Sequence, residues 1–93
     1  MKFEWEPVKA RKNFRKHGIR FEEAITVFKD PLSFIFDDPV HSEQEEREII
    51  IGTSVLRRLI LVSFVERNED TIRIISARRA TRREIIDYEE NTP

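Results

Sequence analysis

The chain has 93 residues, of which 38% are charged, with a formal net charge of -1 and no cysteine. This length predicts a single domain over residues 1–93, and the missing cysteines exclude a disulfide framework, a zinc finger and a thiol nucleophile. No apolar run approaches the ~20 residues of a membrane span, and the first residues lack the apolar stretch of a signal peptide. We therefore expect a soluble cytoplasmic protein without a membrane partner.

The first predicted elements are an edge strand and a helix. Residues 3–5 alternate apolar and polar side chains, which is typical of a short strand. Pro7 suits the first turn of a helix that we expect to reach about Lys16, with Gly18 as its C-cap residue. The expected inner positions of this helix are Val8, Ala10, Phe14 and His17.

A second helix is predicted directly after the first. Phe21, Ala24, Ile25 and Phe28 follow the i, i+3, i+4, i+7 spacing of one helical face. Pro31 ends this helix, because the residue before a proline avoids helical geometry.

The middle of the chain predicts strands. Residues 32–36, 46–51 and 71–77 are short and rich in β-formers, and a turn is expected at 52–54. Residues 58–66 are apolar on both faces and predict the central strand.

The last element is predicted to be a helix, since Thr81 and Glu84 fit the S/T-x-x-E capping box. Helices followed by strands joined through short turns predict an α+β fold in two layers. We expect an antiparallel sheet of about four strands, with the helices packed on one face and the other face open.

Charge is unevenly distributed. Residues 37–48 hold six acidic residues and one arginine, whereas residues 67–83 hold six arginines and two acidic residues. The rigid fork of arginine suits phosphate or carboxylate. The alternative interpretation is solvated surface with intramolecular ion pairs.

Three strings in order resemble the BrnT family of toxins: FEWEPVKARKNFRKHGIRFEEAITVFKDP from Phe3, HSEQEEREIIIG from His41 and RIISARRATRREIIDYE from Arg73. The chain departs from the family at 55–57, where a glycine-containing hairpin is expected. The resemblance implies a RelE-like fold and a ribonuclease toxin of a bacterial type II toxin–antitoxin pair that inhibits translation. It also implies a BrnA-like antitoxin as partner, RNA as substrate, and promoter DNA bound only through the antitoxin complex.

The histidines are candidate proton carriers. RNA cleavage without metal requires that the 2′-hydroxyl loses a proton and the leaving 5′-oxygen gains one, which leaves a 2′,3′-cyclic phosphate. His41 lies in an acidic loop whose carboxylates would favour its protonated form. The alternative is a surface histidine bonded to Asp37, Asp38 or Ser42. For His17, before Gly18, the favoured interpretation is packing or helix capping.

Strand alternation places Glu46 with Glu48 on one face and Arg47 with Ile49 on the other. Glu46 is a candidate base and Arg47 a candidate phosphate contact, unless both form cross-strand ion pairs. Near the last helix, positive charge opposes the helix dipole, which suggests an anionic ligand. We predict catalytic roles for His41, Glu46, Arg67, Arg78 and Arg82, and RNA contacts for Arg47, Arg73, Arg79 and Arg83.

No tight spacing of metal ligands is present, so we predict neither a metal nor another cofactor. Two functions remain open at this point. One is a metal-independent endoribonuclease. The other is a non-catalytic binding module whose arginine cluster holds an acidic protein partner.

Overall fold

The computed structural model describes residues 1–43 and 45–91, and its centre is one five-stranded sheet. The strands are β1 (Lys2–Glu4), β2 (Phe34–Asp37), β3 (Glu48–Thr53), β4 (Leu59–Asn68) and β5 (Thr71–Arg79). Their order across the sheet is β1-β5-β4-β3-β2. The pairs β2–β3, β3–β4 and β4–β5 are all antiparallel, as predicted for the main sheet, and β4 lies at the centre as expected. The predicted short strand at residues 3–5 corresponds to β1, which pairs parallel with β5, so the sheet is mixed and has five strands instead of the expected four antiparallel ones.

The helices are α1 (Pro7–His17), α2 (Phe21–Ala24) and α3 (Arg82–Asn91). The first helix begins and ends as predicted: Gly18 adopts φ +70° and its N–H donates to the carbonyl of Phe14. The second predicted helix is α2 continued by a 3₁₀ helix, Ile25–Lys29. A further 3₁₀ turn spans Pro39–His41.

The main core lies between the sheet and the first two helices. Phe21 and Ala24 are fully buried there, as their spacing predicted, against Ile60, Val62 and Phe64 of β4. The expected inner face of α1 was wrong in part, because Val8 and Phe14 are each 42% exposed. The side chain that α1 buries is a polar one, Asn13.

Asn13 attaches α1 to the edge of β5. Its Nδ2 donates to the carbonyls of Ala77 (2.9 Å) and Ile19 (3.0 Å), and its Oδ1 accepts from the N–H of Ala77 (3.0 Å). The parallel strand β1 pairs only with residues 71–73 of β5. The Asn13 carboxamide therefore satisfies backbone groups that β1 does not reach.

A bulge in β5 reverses the side-chain alternation. Ser63 pairs with Ser76 and Phe64 with Ile74, so Ile75 is an extra residue. Simple alternation would put residues 72, 74, 76 and 78 on one face. The bulge instead keeps Ile74 and Ala77 in the main core and directs Ser76 and Arg78 to the opposite face.

The third helix packs on this opposite face, which corrects the expectation that all helices share one side. Tyr88 forms a second, smaller cluster with Ile51 of β3 and Leu61 of β4. Its ring stacks on Phe34 at 5.7 Å. Burial and the nearby Asp30 carboxylate raise the pKa of Tyr88. Because β4 is apolar on both faces, both require cover, and α3 supplies it at one end of the sheet.

The turn between β3 and β4 also differs from the prediction. Thr53 ends β3, and the turn covers residues 54–57, closed by an N–H of Arg57 donating to the carbonyl of Ser54. Arg57 takes the left-handed conformation at φ +62°, where the family resemblance suggested glycine. Gly52 lies within β3 and not in the turn. This position requires a glycine, because a Cβ there would approach Ser33 Cβ to 2.8 Å.

Candidate functional site

A pocket of about 280 Å³ opens on the same face of the sheet as α3, in the part that this helix does not cover. We call it the histidine–arginine pocket. Its lining residues are His17, Asp38, His41, Arg47, Ile49, Leu61, Ser63, Ser76 and Arg78. It joins the acidic segment 37–48 to the arginine segment 67–83, so these two oppositely charged parts of the sequence meet at one site.

The two histidines and the two arginines enter this pocket from four different segments of the chain. Arg47 precedes β3 and shares the pocket with Ile49, as strand alternation predicted. Arg78 reaches the pocket because of the β5 bulge. His41 ends the 3₁₀ turn 39–41, and His17 is the last residue of α1. The pocket is therefore assembled from segments distant in the sequence.

His41 is paired with a carboxylate. Its Nδ1 lies 3.0 Å from Oδ2 and 3.2 Å from Oδ1 of Asp38. This is the contact that the surface-histidine alternative predicted. It is equally suitable for catalysis, since a carboxylate at Nδ1 orients the imidazole and leaves Nε2 for a substrate.

Arg78 is positioned by a bidentate ion pair. Its Nη1 and Nη2 donate to Oε1 and Oε2 of Glu84, each at 2.8 Å. The capping box is confirmed, because Glu84 also accepts from the Thr81 N–H and its own N–H donates to Thr81 Oγ1. These hydrogen bonds, those from Arg78 foremost, lower the pKa of Glu84 from 4.5 to about 2.

Arg47 has different surroundings. Its Nε is buried and has no hydrogen-bond partner within the described part of the chain. Whereas the charge of Arg78 is neutralised by Glu84, none of the ion pairs between described residues includes Arg47. Arg47 is thus the more available guanidinium for an anionic ligand.

The other predicted site residues lie outside the pocket lining. Arg67 pairs with Glu45 at 3.5 Å, and Arg73 with Glu4 at 2.8 Å. Arg79 follows Arg78 on β5 and acts electrostatically on Glu23, at the other face of the sheet. Three further residues are exposed: Glu46, Arg82 and Arg83. The roles of these six residues stay predictions, whereas His41, Arg47 and Arg78 are brought together.

His17 is the lining residue that sequence reasoning undervalued. Its neighbour Gly18 suggested only a helix end, and burial of Asn13 on the same helix was not expected. The available signal was the KHG string within the family-like segment. Its place in the same pocket as Arg78 follows from the attachment of α1 to β5 by a hydrogen bond between Asn13 and Ala77, which are 64 residues apart.

Two findings concern other kinds of site. Within residues 1–43 and 45–91, no group of three or more histidine and carboxylate side chains could hold a metal ion. No helix in the described structure is long and apolar enough to cross a membrane.

Comparison with known proteins identifies the family. A family model described as "Ribonuclease toxin, BrnT, of type II toxin-antitoxin system" matches residues 5–84. The crystal structure of the ribonuclease toxin BrnT from Brucella abortus matches with a TM-score of 0.68 and 24% identity, over 88% of this chain and 99% of that chain. The search of curated proteins found no match. The chain therefore belongs to the BrnT family of ribonuclease toxins of type II toxin–antitoxin systems.

Proposed function

We propose that this chain is a metal-independent endoribonuclease that cleaves RNA at the histidine–arginine pocket and thereby inhibits translation. The observation that carries the proposal is the convergence of His41, Arg47 and Arg78 in one pocket. Transfer of a phosphoryl group to a neighbouring hydroxyl requires a proton carrier and cations that stabilise the developing charge, and these three side chains supply both.

The two arginines would stabilise the scissile phosphate. Arg47 supplies an unneutralised charge. Glu84 occupies Nη1 and Nη2 of Arg78, and the Arg79 carbonyl accepts a further bond from Nη1 at 3.3 Å. A guanidinium has five N–H donors, so the edge formed by Nε and Nη2 stays open for a phosphate oxygen. Glu84 then fixes the direction of this edge before the substrate arrives, which is the condition for strong electrostatic stabilisation.

Arginines outside the pocket would contact the flanking RNA. Arg82 and Arg83 are exposed at the start of α3, directly beyond the Arg78–Glu84 pair. Such side chains add affinity through backbone phosphates without taking part in chemistry. We assign the same kind of role to Arg67, Arg73 and Arg79. Glu46 carries a negative charge that repels phosphates, so it has no such role and stays a candidate base outside the pocket lining.

The test is cleavage of single-stranded RNA by the purified chain in EDTA. We expect 2′,3′-cyclic phosphate ends on the products, and no cleavage of the same sequence as DNA, because the DNA lacks the attacking hydroxyl. Cleavage that stops in EDTA and returns with a divalent cation would contradict metal independence. Cleavage of the DNA strand would contradict attack by the 2′-oxygen.

The antitoxin that the family implies would be a BrnA-like protein, which we propose binds along β2. This strand is at the edge of the sheet, and its Phe34, Ile35 and Phe36 are exposed. An edge strand with apolar side chains can accept an added strand from a partner. Co-expression with the neighbouring open reading frame should rescue growth, and Ile35→Asp should weaken the complex. Promoter DNA should bind the complex and not this chain alone.

One observation favours the alternative of a non-catalytic binding module. Arg78 already binds a carboxylate within the chain, so its fork also suits an acidic protein. A chain that binds its antitoxin through Arg47 and Arg78 and cleaves no RNA would support this alternative.

A further inference from the structure

We infer that His17 is a catalytic residue, the general base that takes the proton from the 2′-hydroxyl while His41 serves as the general acid. The inference rests on the proposed ribonuclease function and names a second proton carrier for it. The chain has two histidines in all. Both line the histidine–arginine pocket, although one ends α1 and the other ends the 3₁₀ turn 39–41.

The position of His17 is defined by its surroundings. Gly18 ends α1 immediately after it, and the Asn13 carboxamide joins the last turns of this helix to Ala77. Ala77 lies between Ser76 and Arg78, which both line the pocket. The contact that fixes the helix end is therefore adjacent in β5 to a proposed phosphate ligand.

The imidazole of His17 is available for proton transfer. It is half-buried, and none of the hydrogen bonds or ion pairs between described residues uses it. A histidine that only capped the helix would be expected to bond a carbonyl of the last turn. His41, in contrast, has its Nδ1 bonded to Asp38, which orients the ring and leaves Nε2 to donate to the leaving oxygen.

The neutral imidazole of His17 accepts the proton of the 2′-hydroxyl, and the 2′-oxygen forms a bond to phosphorus. The bond from phosphorus to the 5′-oxygen breaks, and the imidazolium of His41 donates its proton to that oxygen. The products are a 2′,3′-cyclic phosphate and a free 5′-hydroxyl, with Arg47 and Arg78 neutralising the charge on the non-bridging oxygens.

The first experiment measures single-turnover cleavage of RNA and binding of an uncleavable 2′-O-methyl RNA by the full chain. Because general base catalysis contributes ~10²–10⁴-fold, His17→Ala should lower the cleavage rate by at least about 100-fold. The dissociation constant of the 2′-O-methyl RNA should stay within about twofold of the wild-type value, since a proton carrier adds little ground-state affinity. His17→Gln, which keeps a polar side chain, provides a second variant if the alanine variant unfolds. Lys16→Ala is the matched control, as an exposed cation of the same helix turn.

The second experiment separates the two histidines by their roles. A uridine 3′-phosphate ester of p-nitrophenol has a leaving group that needs no proton, so its cleavage requires a base but no acid. His41→Ala should recover most of its lost rate on this ester, whereas His17→Ala should not. Recovery by His17→Ala instead would overturn its assignment as the base.

The remaining outcomes distinguish the two proposals. A wild-type chain that cleaves no RNA overturns the proposed function, and the role of His17 with it. An active wild type with an equally active His17→Ala variant overturns the role of His17 alone. A variant that loses affinity in proportion to rate likewise overturns it, since His17 would then bind RNA without transferring a proton.

Discussion

The two faces of the sheet each carry an arginine–glutamate pair, and the pairs differ in what surrounds them. On the helix-covered face, Arg58 binds Glu23, which is 6% exposed and lies among core residues. We call the opposite face, which α3 covers only at one end, the open face. There Arg78 binds Glu84 at the margin of a pocket that contains both histidines. The same chemical pair thus serves stability on one face and orients a candidate phosphate ligand on the other. The surroundings of an ion pair, more than its geometry, therefore indicate its role.

The pair on the covered face forms hydrogen bonds that connect several elements of the fold. Arg58 Nε donates to Glu23 Oε2 at 2.9 Å, and Nη2 donates to Glu23 Oε1 and to the carbonyl of Gly18. Ser54 Oγ donates to the same carboxylate at 2.7 Å. These bonds, those from Arg58 first, lower the pKa of Glu23 despite its burial. They join the β3–β4 hairpin to the start of α2 and to the end of α1.

The largest expected effect is therefore on stability, from Arg58→Ala. Removing Arg58 leaves the Glu23 carboxylate buried without its cation, and breaking a buried pair in this way costs ~3–5 kcal/mol. Urea denaturation should show this loss in the free energy of unfolding. The remaining folded protein should still cleave RNA, because Arg58 is outside the histidine–arginine pocket and Asn13 keeps the end of α1 attached to β5.

Arg73→Ala is the matched control for that prediction. Arg73 also pairs with a glutamate, Glu4, but both side chains are partly exposed. Surface pairs contribute ~0–1 kcal/mol, so this variant should unfold near the wild-type urea concentration. Equal destabilisation by the two variants would remove the distinction drawn between buried and exposed pairs.

For substitutions on the open face we expect the reverse pattern, a loss of activity with retained stability. Arg47→Ala removes the unneutralised guanidinium of the pocket, and loss of one such charge-stabilising group lowers turnover by ~10²–10³-fold. Thermal unfolding should change little, since Arg47 forms no ion pair among the described residues.

Arg83→Ala serves as the control on the same surface. It is exposed on α3 and outside the pocket lining, so it should weaken RNA binding slightly and leave the rate of the bound complex unchanged. If Arg83→Ala reduced single-turnover cleavage as strongly as Arg47→Ala, the catalytic site would have to extend to α3.

The covered face was largely predictable from sequence, and the open face was not. The spacing of Phe21 and Ala24 identified the buried side of α2, and the apolar run in β4 identified the central strand. Arg78 was recognised as a candidate but could not be placed, because nothing local marks Ile75 as a bulge. The position of His17 likewise depends on the hydrogen bonds of Asn13 to a distant strand, which periodicity does not reveal.

Asn13→Ala should affect both faces. It removes a buried carboxamide and leaves backbone groups of Ala77 and Ile19 without partners, at a cost of ~1–3 kcal/mol. The end of α1 would also lose its attachment to β5, so cleavage by the folded fraction should fall as His17 shifts. Lys12→Ala, exposed on the same helix, should change neither property. Destabilisation without loss of cleavage would show that His17 keeps its position by other contacts.

The smallest expected effect is a pH dependence caused by Glu84. Its pKa of about 2 in the folded chain lies below the ordinary 4.5, so the unfolded chain binds the proton more tightly. The contribution of the Arg78–Glu84 pair is therefore complete above about pH 5 and is lost as the pH falls towards about 2.

Urea midpoints measured across this range should fall less steeply for Glu84→Gln than for the wild type. Glu90→Gln, exposed on the same helix, should follow the wild-type curve. A residual slope should persist in Glu84→Gln, because the pKa of Glu23 is also lowered in the folded chain and its pair with Arg58 is lost in the same direction. If Glu84→Gln and the wild type had identical profiles, the Arg78 pair on the open face would contribute nothing to folding, and its orientation of Arg78 would have to be tested by activity alone.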